Sequence, residues 1–176
     1  MKEVPLVGTK AAGRVTLVDD DDWPTVAPFV WYIHEYDKGP GCKPDGPYAV
    51  ARVADHRLVR MHKFLTGWPR TDHRDHDGLN NQRWNLRPTT LGQNMANTPS
   101  RQNSVSRFKG VRLQRRTGHW EACIKIGDQA RHLGTFLHEQ DAAVAFDDAA
   151  REAWGEYACL NFPKQMLPQY REPVTA

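Results

Sequence analysis

Residues 71–94, TDHRDHDGLNNQRWNLRPTTLGQN, form the part of the chain with the densest set of chemically useful side chains. Asp72 and His73 are adjacent, an Asp-Gly pair typical of a turn follows, and Asn85 opens a strand-like run. We expect a strand, a turn, a second strand and then a short helix that carries Asn94. That order would bring the four side chains together at one site.

These residue types suit the hydrolysis of a phosphodiester bond, which needs a base, a divalent cation and a group that orients the base. A neutral histidine such as His73 can act as the base near pH 7, and an amide such as Asn85 can hold its ring in one tautomer. Asp72 and Asn94 offer the hard oxygen ligands that Mg²⁺ prefers, with Mn²⁺ as the alternative. Few protein ligands suffice, because Mg²⁺ keeps several waters.

Two other kinds of metal site do not fit this stretch. A calcium-binding loop with Gly78 at its sixth position would have His73 first and Trp84 last, where acidic ligands are needed. A structural zinc site needs four close Cys or His ligands, and only His73 and His76 are available here. The three cysteines of the chain lie far apart with no CxxC pair, which argues against a disulfide framework and a cysteine zinc ribbon.

Positive charge is concentrated in the middle of the chain. The 176 residues carry a net charge of +3, but residues 57–100 hold 7 basic and 3 acidic side chains, and residues 101–133 hold 8 and 2. Both flanks are acidic. This distribution is typical of a surface that binds a polyanion.

Composition predicts a soluble, cytoplasmic protein. Mean hydropathy is -0.71, and no apolar run approaches the roughly 18 residues of a membrane span. The first residues lack the apolar segment of a secretory signal. We therefore expect neither a membrane nor a small-molecule cofactor among the partners.

The region before the central stretch has the pattern of short strands. Residues 14–18 and 48–53 are the clearest of them, with a Pro- and Gly-rich loop at 38–47. Trp31 and its aromatic neighbours are expected in the core rather than against a ligand. Residues 57–64 suggest a short helix that leads into the central stretch.

After the central stretch, a polar linker precedes a compact pattern of strands and one helix. The strand-like runs are residues 109–114, 120–126 and 130–136, with turns between them. Residues 139–154 place small apolar side chains at helical spacing, and Gly155 is a typical helix end. We expect a three-stranded antiparallel sheet packed on one helix.

The central stretch resembles the HNH endonucleases, in the phage and homing-endonuclease branch that lacks zinc-binding cysteines. That branch carries a helix histidine, a D-H-x-D-x-D-G-x-N-N turn, an N-L-R strand and a helix asparagine, here His62, residues 72–81, residues 85–87 and Asn94. The resemblance implies a zinc-free ββα-metal core.

Carried over by position, the resemblance implies that His73 is the general base and Asn85 its orienter. Asp72 and Asn94 are then the metal ligands. Three further residues are secondary candidates: His62, for which packing is the alternative role, His76, which stands where glycine is common, and Arg87.

Residues 106–163 resemble the plant APETALA-two and ethylene-response-factor (ERF) DNA-binding domain. The landmarks K-G-V-R, G-H-W, L-G-T-F, an Ala-rich helix and L-N-F-P occur in order. In that family the sheet lies in the DNA major groove. The residues implied to face DNA are Lys109, Arg112, Gln114, Arg115, Arg116, Trp120, Lys125, Arg131 and His132.

Departures from the plant pattern affect specificity. Gln114, Lys125 and His132 stand where the plant domains use Arg, Arg and Trp, so the plant target sequence is not expected here. Trp120 is open between core packing and DNA contact.

Together these patterns predict an α+β chain. We expect an HNH nuclease domain with a β-rich N-terminal extension at residues 1–98 (core about 57–98), a linker at 99–106, an APETALA-two/ERF-like domain at 107–163 and a tail at 164–176. The expected function is a metal-dependent DNA endonuclease of phage or homing type that cuts duplex DNA, with nicking as the default. The alternative is an inactive DNA-binding regulator that uses the same surfaces.

Overall fold

The computed structural model describes residues 1–36, 45–53, 57–100 and 104–162. The predicted tail at 164–176 and parts of the predicted loop and linker lie outside these residues. The chain divides into two compact units, Met1–Thr90 and Leu91–Ala176. This boundary falls eight residues before the end of the predicted nuclease domain, so the helix that carries Asn94 is grouped with the C-terminal unit.

The N-terminal unit is built mainly from strands. Its five-stranded sheet has the order β2-β1-β3-β4-β5, in which β1 and β3 are parallel and the other neighbours are antiparallel. A two-stranded antiparallel sheet, β6-β7, follows. The elements are β1 (Lys2–Val7), β2 (Val15–Val18), α1 (Trp23–Val26), β3 (Trp31–Tyr36), β4 (Asp45–Arg52), β5 (Leu58–Arg60), α2 (Met61–Thr66), β6 (Thr71–His73) and β7 (Leu86–Pro88).

The core of this unit forms around Trp31 and Met61. Trp31 is 1% exposed and its indole N–H donates to the Val26 carbonyl at 2.9 Å, so its polar atom is satisfied where the ring is buried. Met61 is fully buried at the start of α2. The prediction that Trp31 belongs to the core is confirmed.

One predicted helix was only half right. Residues 57–64 were expected to be helical, but Leu58–Arg60 form β5 and the helix begins at Met61. The strand forms because Arg60 pairs with Val50, and Leu58 with Arg52, at the edge of the sheet. This pairing is long-range, so local helical periodicity could not reveal it.

The C-terminal unit is a three-stranded antiparallel sheet, order β10-β9-β8, packed on one long helix. This prediction is confirmed. The elements are α3 (Leu91–Ala96), β8 (Val111–Gln114), β9 (His119–Ile126), β10 (Gln129–Phe136) and α4 (Glu139–Trp154). The bounds of α4 are those predicted, and Gly155 ends it with a φ of +53°.

Small side chains let α4 approach the sheet closely. Ala142, Ala143 and Ala150 are fully buried against the strands, beside the ring of Phe146. The carboxylate of Asp147 accepts hydrogen bonds from the backbone N–H groups of residues 161 and 162, each at 2.8 Å, and so holds the segment after the helix. None of the helices in the described part of the chain has the length and apolar character to cross a membrane.

Candidate functional site

The β6-β7 hairpin carries the first element of the site, a buried ion pair. Strand register places Asp72 opposite Arg87. The Arg87 Nε and Nη2 atoms lie 2.8 and 2.7 Å from Asp72 Oδ2, and the two side chains are 3% and 8% exposed. Because both charges are out of water, each depends on the other for compensation. Arg87, a secondary candidate from the sequence, is thus the direct partner of the predicted metal ligand.

Asn85 fixes the loop that follows His73. Its Oδ1 accepts the Asp75 backbone N–H at 3.0 Å, and its Nδ2 donates to Asp75 Oδ1 and to the Asn80 carbonyl, each at 2.8 Å. Asp75 Oδ2 in turn accepts Asn80 Nδ2 at 2.7 Å. Asn85 is fully buried, and both of its N–H donors and its carbonyl oxygen are hydrogen-bonded inside the loop.

A second set of hydrogen bonds ties this loop to strand β2. The Leu17 N–H donates to the Leu79 carbonyl and the Asn81 N–H donates to the Leu17 carbonyl, both at 2.8 Å. Asn81 Nδ2 donates to Thr16 Oγ1 at 2.8 Å, and that hydroxyl donates to the Leu79 carbonyl at 2.6 Å. Hydrogen bonds to the β6-β7 hairpin and to strand β2 therefore fix the backbone conformation of this loop from both sides.

The Asp-Gly turn needs its glycine because strand β4 lies against it. A Cβ on Gly78 would lie 2.3 Å from the Pro47 carbonyl oxygen and 2.7 Å from Tyr48 Cδ1. Both distances are far inside van der Waals contact, so any side chain would push the loop away from Tyr48. His76 has a φ of +65°, the left-handed backbone that explains why glycine suits that position.

His73 lies in a cluster of rings. Its ring centroid is 4.9 Å from that of His62, edge to face, and 6.1 Å from that of Tyr48. The ring centroids of His62 and Tyr48 are 5.5 Å apart, and the Arg60 guanidinium lies over the Tyr48 ring, 4.5 Å from its centroid. The structure thus brings His62 into direct contact with the predicted base.

Burial controls the protonation of both histidines. Burial, reinforced by the charge of His73 and of two cationic neighbours, lowers the pKa of His62 to about 3. Burial also lowers the pKa of His73, opposed by the Asn81 side chain and by the negative charges of Asp75, Asp72 and Asp77. Both rings are therefore neutral at pH 7, the form in which a histidine can accept a proton.

The predicted residues of the central stretch do not all take the positions expected of them. Asp72, His73, Asn85, Arg87 and His62 come together in the N-terminal unit. The hydrogen bonds of Asn85 go to Asp75 and Asn80, so its effect on the imidazole runs through the loop. Asn94 is exposed on α3, in the C-terminal unit, and its role as a metal ligand stays a prediction.

The donors available for a metal are few and hard. Among the residues that the structure describes, no group of three or more His, Cys, Asp or Glu side chains could hold an ion. Mg²⁺ typically binds proteins through one or two carboxylates and keeps several of its waters. Asp72 offers such a carboxylate, although a cation there would share it with the Arg87 guanidinium.

The sheet of the C-terminal unit has one face covered by α4 and one outer face. Strand register places on the outer face the cross-strand pairs Arg112–Glu121, Gln114–His119, Lys125–Ala130 and Cys123–His132. Four of the residues predicted to face DNA are among them: Arg112, Gln114, Lys125 and His132. Arg115 and Arg116 are exposed in the turn between β8 and β9, which is closed by the Gly118 N–H to Gln114 carbonyl bond at 2.9 Å.

Three other residues predicted to face DNA lie elsewhere. Trp120 packs against the core on the covered face, which favours the packing role of the two left open. Arg131 is exposed but pairs with the buried Ile124, so it belongs to the covered face too. The Lys109 ammonium donates to the carbonyl of Ala96, the last residue of α3, and burial lowers its pKa. Their DNA contacts stay predictions that the outer face does not support.

Several residues of both sites escaped the sequence analysis. Asp75 and Asn81 both belong to the turn pattern. Asp75 lies two and five residues from its partners Asp77 and Asn80, a local signal of loop construction, whereas the partner of Asn81 is Thr16, 65 residues away. Tyr48 and Thr16 come from strands that are distant in sequence, so nothing local marks them. Glu121 could have been placed on the outer face by strand alternation from Arg112 across the turn.

The chain is similar to proteins of two kinds. Over 157 residues it is 29% identical to a protein of Acanthamoeba polyphaga mimivirus named uncharacterized HNH endonuclease L560, covering 86% of this chain and 77% of that protein. Over 65 residues it is 42% identical to dehydration-responsive element-binding protein 2C of Arabidopsis thaliana and 45% identical to protein 2A of the same plant. Each plant match covers 36% of this chain, which spans only 19% of the plant protein's length.

No family model and no solved structure matches the chain. The similarities are homology at a distance: to a viral protein named as an HNH endonuclease over most of the chain, and to APETALA-two/ERF DNA-binding proteins over a region of 65 residues. They suggest nuclease activity, DNA binding, or both.

Proposed function

We propose that this chain is a metal-dependent endonuclease that hydrolyses phosphodiester bonds in duplex DNA. The N-terminal unit carries the reaction and the C-terminal unit binds the duplex. The strongest support is that Asp72 and His73 are adjacent and both buried on strand β6, and that Asn85 fixes the loop that follows them. The similarity to the viral HNH relative includes both units, because it is longer than either.

In this proposal His73 takes a proton from the attacking water. Its burial keeps the imidazole neutral at pH 7, and the contacts with His62 and Tyr48 limit the orientations of the ring. Asn85 and Asp75 hold the backbone that leaves His73, so the ring is placed before substrate arrives. A preplaced base lowers the barrier because its orientation costs no entropy during the reaction.

Asp72 and Asn94 are the proposed ligands of the divalent cation, Mg²⁺ in the first place and Mn²⁺ as the alternative. Asn94 enters on its position in the sequence motif. When bound, the cation supplies Lewis-acid stabilisation of the charge that develops on the phosphate. Arg87 holds the Asp72 carboxylate in a fixed orientation through two N–H donors on one oxygen.

The C-terminal unit supplies affinity for the duplex. Arg115 and Arg116 in the first turn and Lys125 on the outer face are exposed cations that can neutralise phosphates. A three-stranded sheet presents a flat reading face to the major groove. With one reaction centre in each chain, nicking is the expected product unless two copies meet.

The experiment is incubation of supercoiled plasmid and of long phage DNA with the full chain and Mg²⁺ or Mn²⁺, beside EDTA. The parent should convert supercoiled to open-circular DNA, and EDTA should stop it. His73→Ala should lose cutting while duplex binding is retained. His34→Ala is the matched control, because it removes a histidine from strand β3 of the same unit and should cut like the parent.

A DNA-binding regulator without catalysis is the second candidate. The observation that favours it is the Asp72–Arg87 pair, because the guanidinium already neutralises the carboxylate that a metal would need. Tight duplex binding by the parent with no cutting of either DNA, in either metal, would establish this candidate instead. Cutting that is equal in the parent and in His73→Ala would contradict the assignment of the base.

A further inference from the structure

The outer face of the β8-β9-β10 sheet carries a single carboxylate among its described strand residues. That residue is Glu121, on the central strand, in a face whose other charged members are Arg112 and Lys125. A negative charge in the middle of a surface that meets phosphates opposes binding by simple electrostatics. Its presence there calls for a role that outweighs this cost.

Glu121 makes one strong and specific contact. The Arg112 Nε–H donates to Glu121 Oε2 at 2.6 Å across the β8-β9 pair, and this bond raises the pKa of the guanidinium. The Glu121 side chain is 13% exposed, whereas that of Arg112 is 69% exposed. The carboxylate is thus the fixed member of the pair, and the arginine is the member presented to solvent.

The geometry of the bond decides which edge of the guanidinium remains for a ligand. Among the described residues, the bond to Glu121 is the one hydrogen bond of the Arg112 side chain. It engages Nε, so the Nη1 and Nη2 groups at the far end keep their donors. Two parallel donors at the tip of an arginine match the O6 and N7 acceptors that guanine shows in the major groove.

We propose that Glu121 is a positioning residue that aims Arg112 at a guanine in the major groove. The inference rests on the proposed function of the C-terminal unit as the duplex-binding part. Glu121 removes the rotational freedom of a long, exposed side chain before DNA arrives. Holding such a side chain in advance strengthens specific binding by about 2- to 10-fold.

The same carboxylate makes contact with the wrong sequence weaker. Off target, Arg112 gains no guanine, and Glu121 repels the nearby phosphates. Glu121 therefore increases discrimination from both directions, by strengthening the specific complex and weakening the non-specific one. A purely structural role as a cross-strand ion pair does not predict a loss of preference confined to the guanine that Arg112 contacts, so that loss is the effect that identifies positioning.

The test uses the full chain in EDTA to select bound sequences from a randomised duplex library. The selected sequences are aligned, and the base preference is compared at each position, that is, in each column of the alignment. The parent should show at least one guanine column that Arg112→Ala abolishes, with a loss of discrimination of about 5- to 150-fold. Glu121→Ala should weaken the preference in that same column by about 2- to 10-fold. It should also bind an unselected duplex more tightly than the parent does.

Two variants separate positioning from charge and from folding. Asp148→Ala removes an acidic residue from α4, which covers the other face of the sheet, and Asp148 likewise pairs with an arginine, Arg151, at 2.8 Å. It should leave every column unchanged. Glu121→Gln keeps an oxygen that can accept the Arg112 Nε–H, and it should restore part of the guanine preference that Glu121→Ala loses.

Three outcomes would overturn the inference. One is a guanine column that Arg112→Ala abolishes and Glu121→Ala leaves intact. Another is loss of preference by the two variants in different columns, which would mean that Glu121 contacts a base itself. The third is a uniform change across all columns, which would make Arg112 a phosphate contact. Failure of the parent to bind any duplex is a different result, because it would refute the proposed function of the unit.

Discussion

Removal of Arg87 should destabilise the N-terminal unit far more than removal of any surface charge. In Arg87→Met the Asp72 carboxylate would stay buried without the two N–H donors that lie 2.8 and 2.7 Å from its Oδ2. With side-chain exposures of 3% and 8%, neither partner can turn to water. Breaking a buried pair from one side typically costs about 3–5 kcal/mol.

The structure supplies a matched surface pair in the same unit. Arg14 Nη1 and Glu35 Oε1 are 2.9 Å apart, but the side chains are 42% and 26% exposed. Glu35→Ala should therefore cost no more than about 1 kcal/mol. Replacement of both buried partners, in Asp72→Met/Arg87→Met, should restore most of the free energy of unfolding that Arg87→Met loses, because no uncompensated charge remains.

The assay is urea-induced unfolding of the full chain, followed by tryptophan fluorescence and by circular dichroism. Arg87→Met should lower the midpoint of the N-terminal transition by at least about 1 M urea, and the double variant should lie closer to the parent. A cost for Arg87→Met as small as that for Glu35→Ala would refute the reasoning. So would a double variant whose cost equals the sum of the two single costs, because the pair would then contribute no coupling energy.

Three other predictions concern pH, salt and backbone. The pKa of His62 is about 3 in the folded chain and about 6.5 in the unfolded chain, so the unfolded chain takes up the proton first as the pH falls. The free energy of unfolding should therefore fall by up to about 1.4 kcal/mol per pH unit below pH 6.5. His62→Phe should remove that part of the slope in urea titrations at pH 5.0–6.5. If about five cations neutralise phosphates, log affinity against log salt should have a slope near -4.5, and Arg115→Ala/Arg116→Ala should reduce its magnitude by about 1.8 in anisotropy titrations. Gly110→Ala, where a Cβ would lie 1.9 Å from Phe146 Cδ2, should lower the melting temperature well below that of Gly118→Ala, which has the same φ of +75° and no atom within 4 Å. Equal melting temperatures would show that the Phe146 ring yields at no cost.

The C-terminal unit shows which parts of a fold can be predicted from sequence. The helix at 139–154 was found with the predicted bounds because its periodicity, its small residues and its terminal glycine all act within the helix. The three strands were found because the turns between them are local as well. The half-wrong helix at 57–64 is the opposite case, since β5 exists only through its pairing with β4.

The face of the sheet on which each side chain lies was harder to predict than the strands themselves. Arg131 and His132 are neighbours in sequence and were both assigned to DNA, yet strand alternation places them on opposite faces. Lys109 was assigned to DNA for its charge, but its ammonium meets the end of α3. Composition identified a basic unit, but only strand register and tertiary contacts show which of its cationic side chains are exposed where a ligand could contact them.

In the N-terminal site, sequence identified the residues that carry chemistry but not those that give them their geometry. Tyr48 and Thr16 reach the site from strands β4 and β2, and no local pattern connects them to His73. Their effect is nevertheless specific, because Tyr48 contacts both imidazoles and Thr16 accepts the amide of Asn81. The β-rich region before the hairpin is therefore part of the site, since it supplies the ring and the hydroxyl against which the loop is built.

The amide residues of the central motif acquire a common physical explanation from these contacts. Asn80, Asn81 and Asn85 are all buried, and each donates a side-chain hydrogen bond to an acceptor that fixes the same loop. The twelve residues 74–85 between β6 and β7 form neither a strand nor a helix, so their backbone lacks the regular hydrogen bonds of either. Buried amides fix this backbone instead, because an amide offers two N–H donors together with a carbonyl acceptor, whereas a carboxylate only accepts and a hydroxyl has a single donor. The motif thus encodes the rigidity of the loop as much as its reactivity.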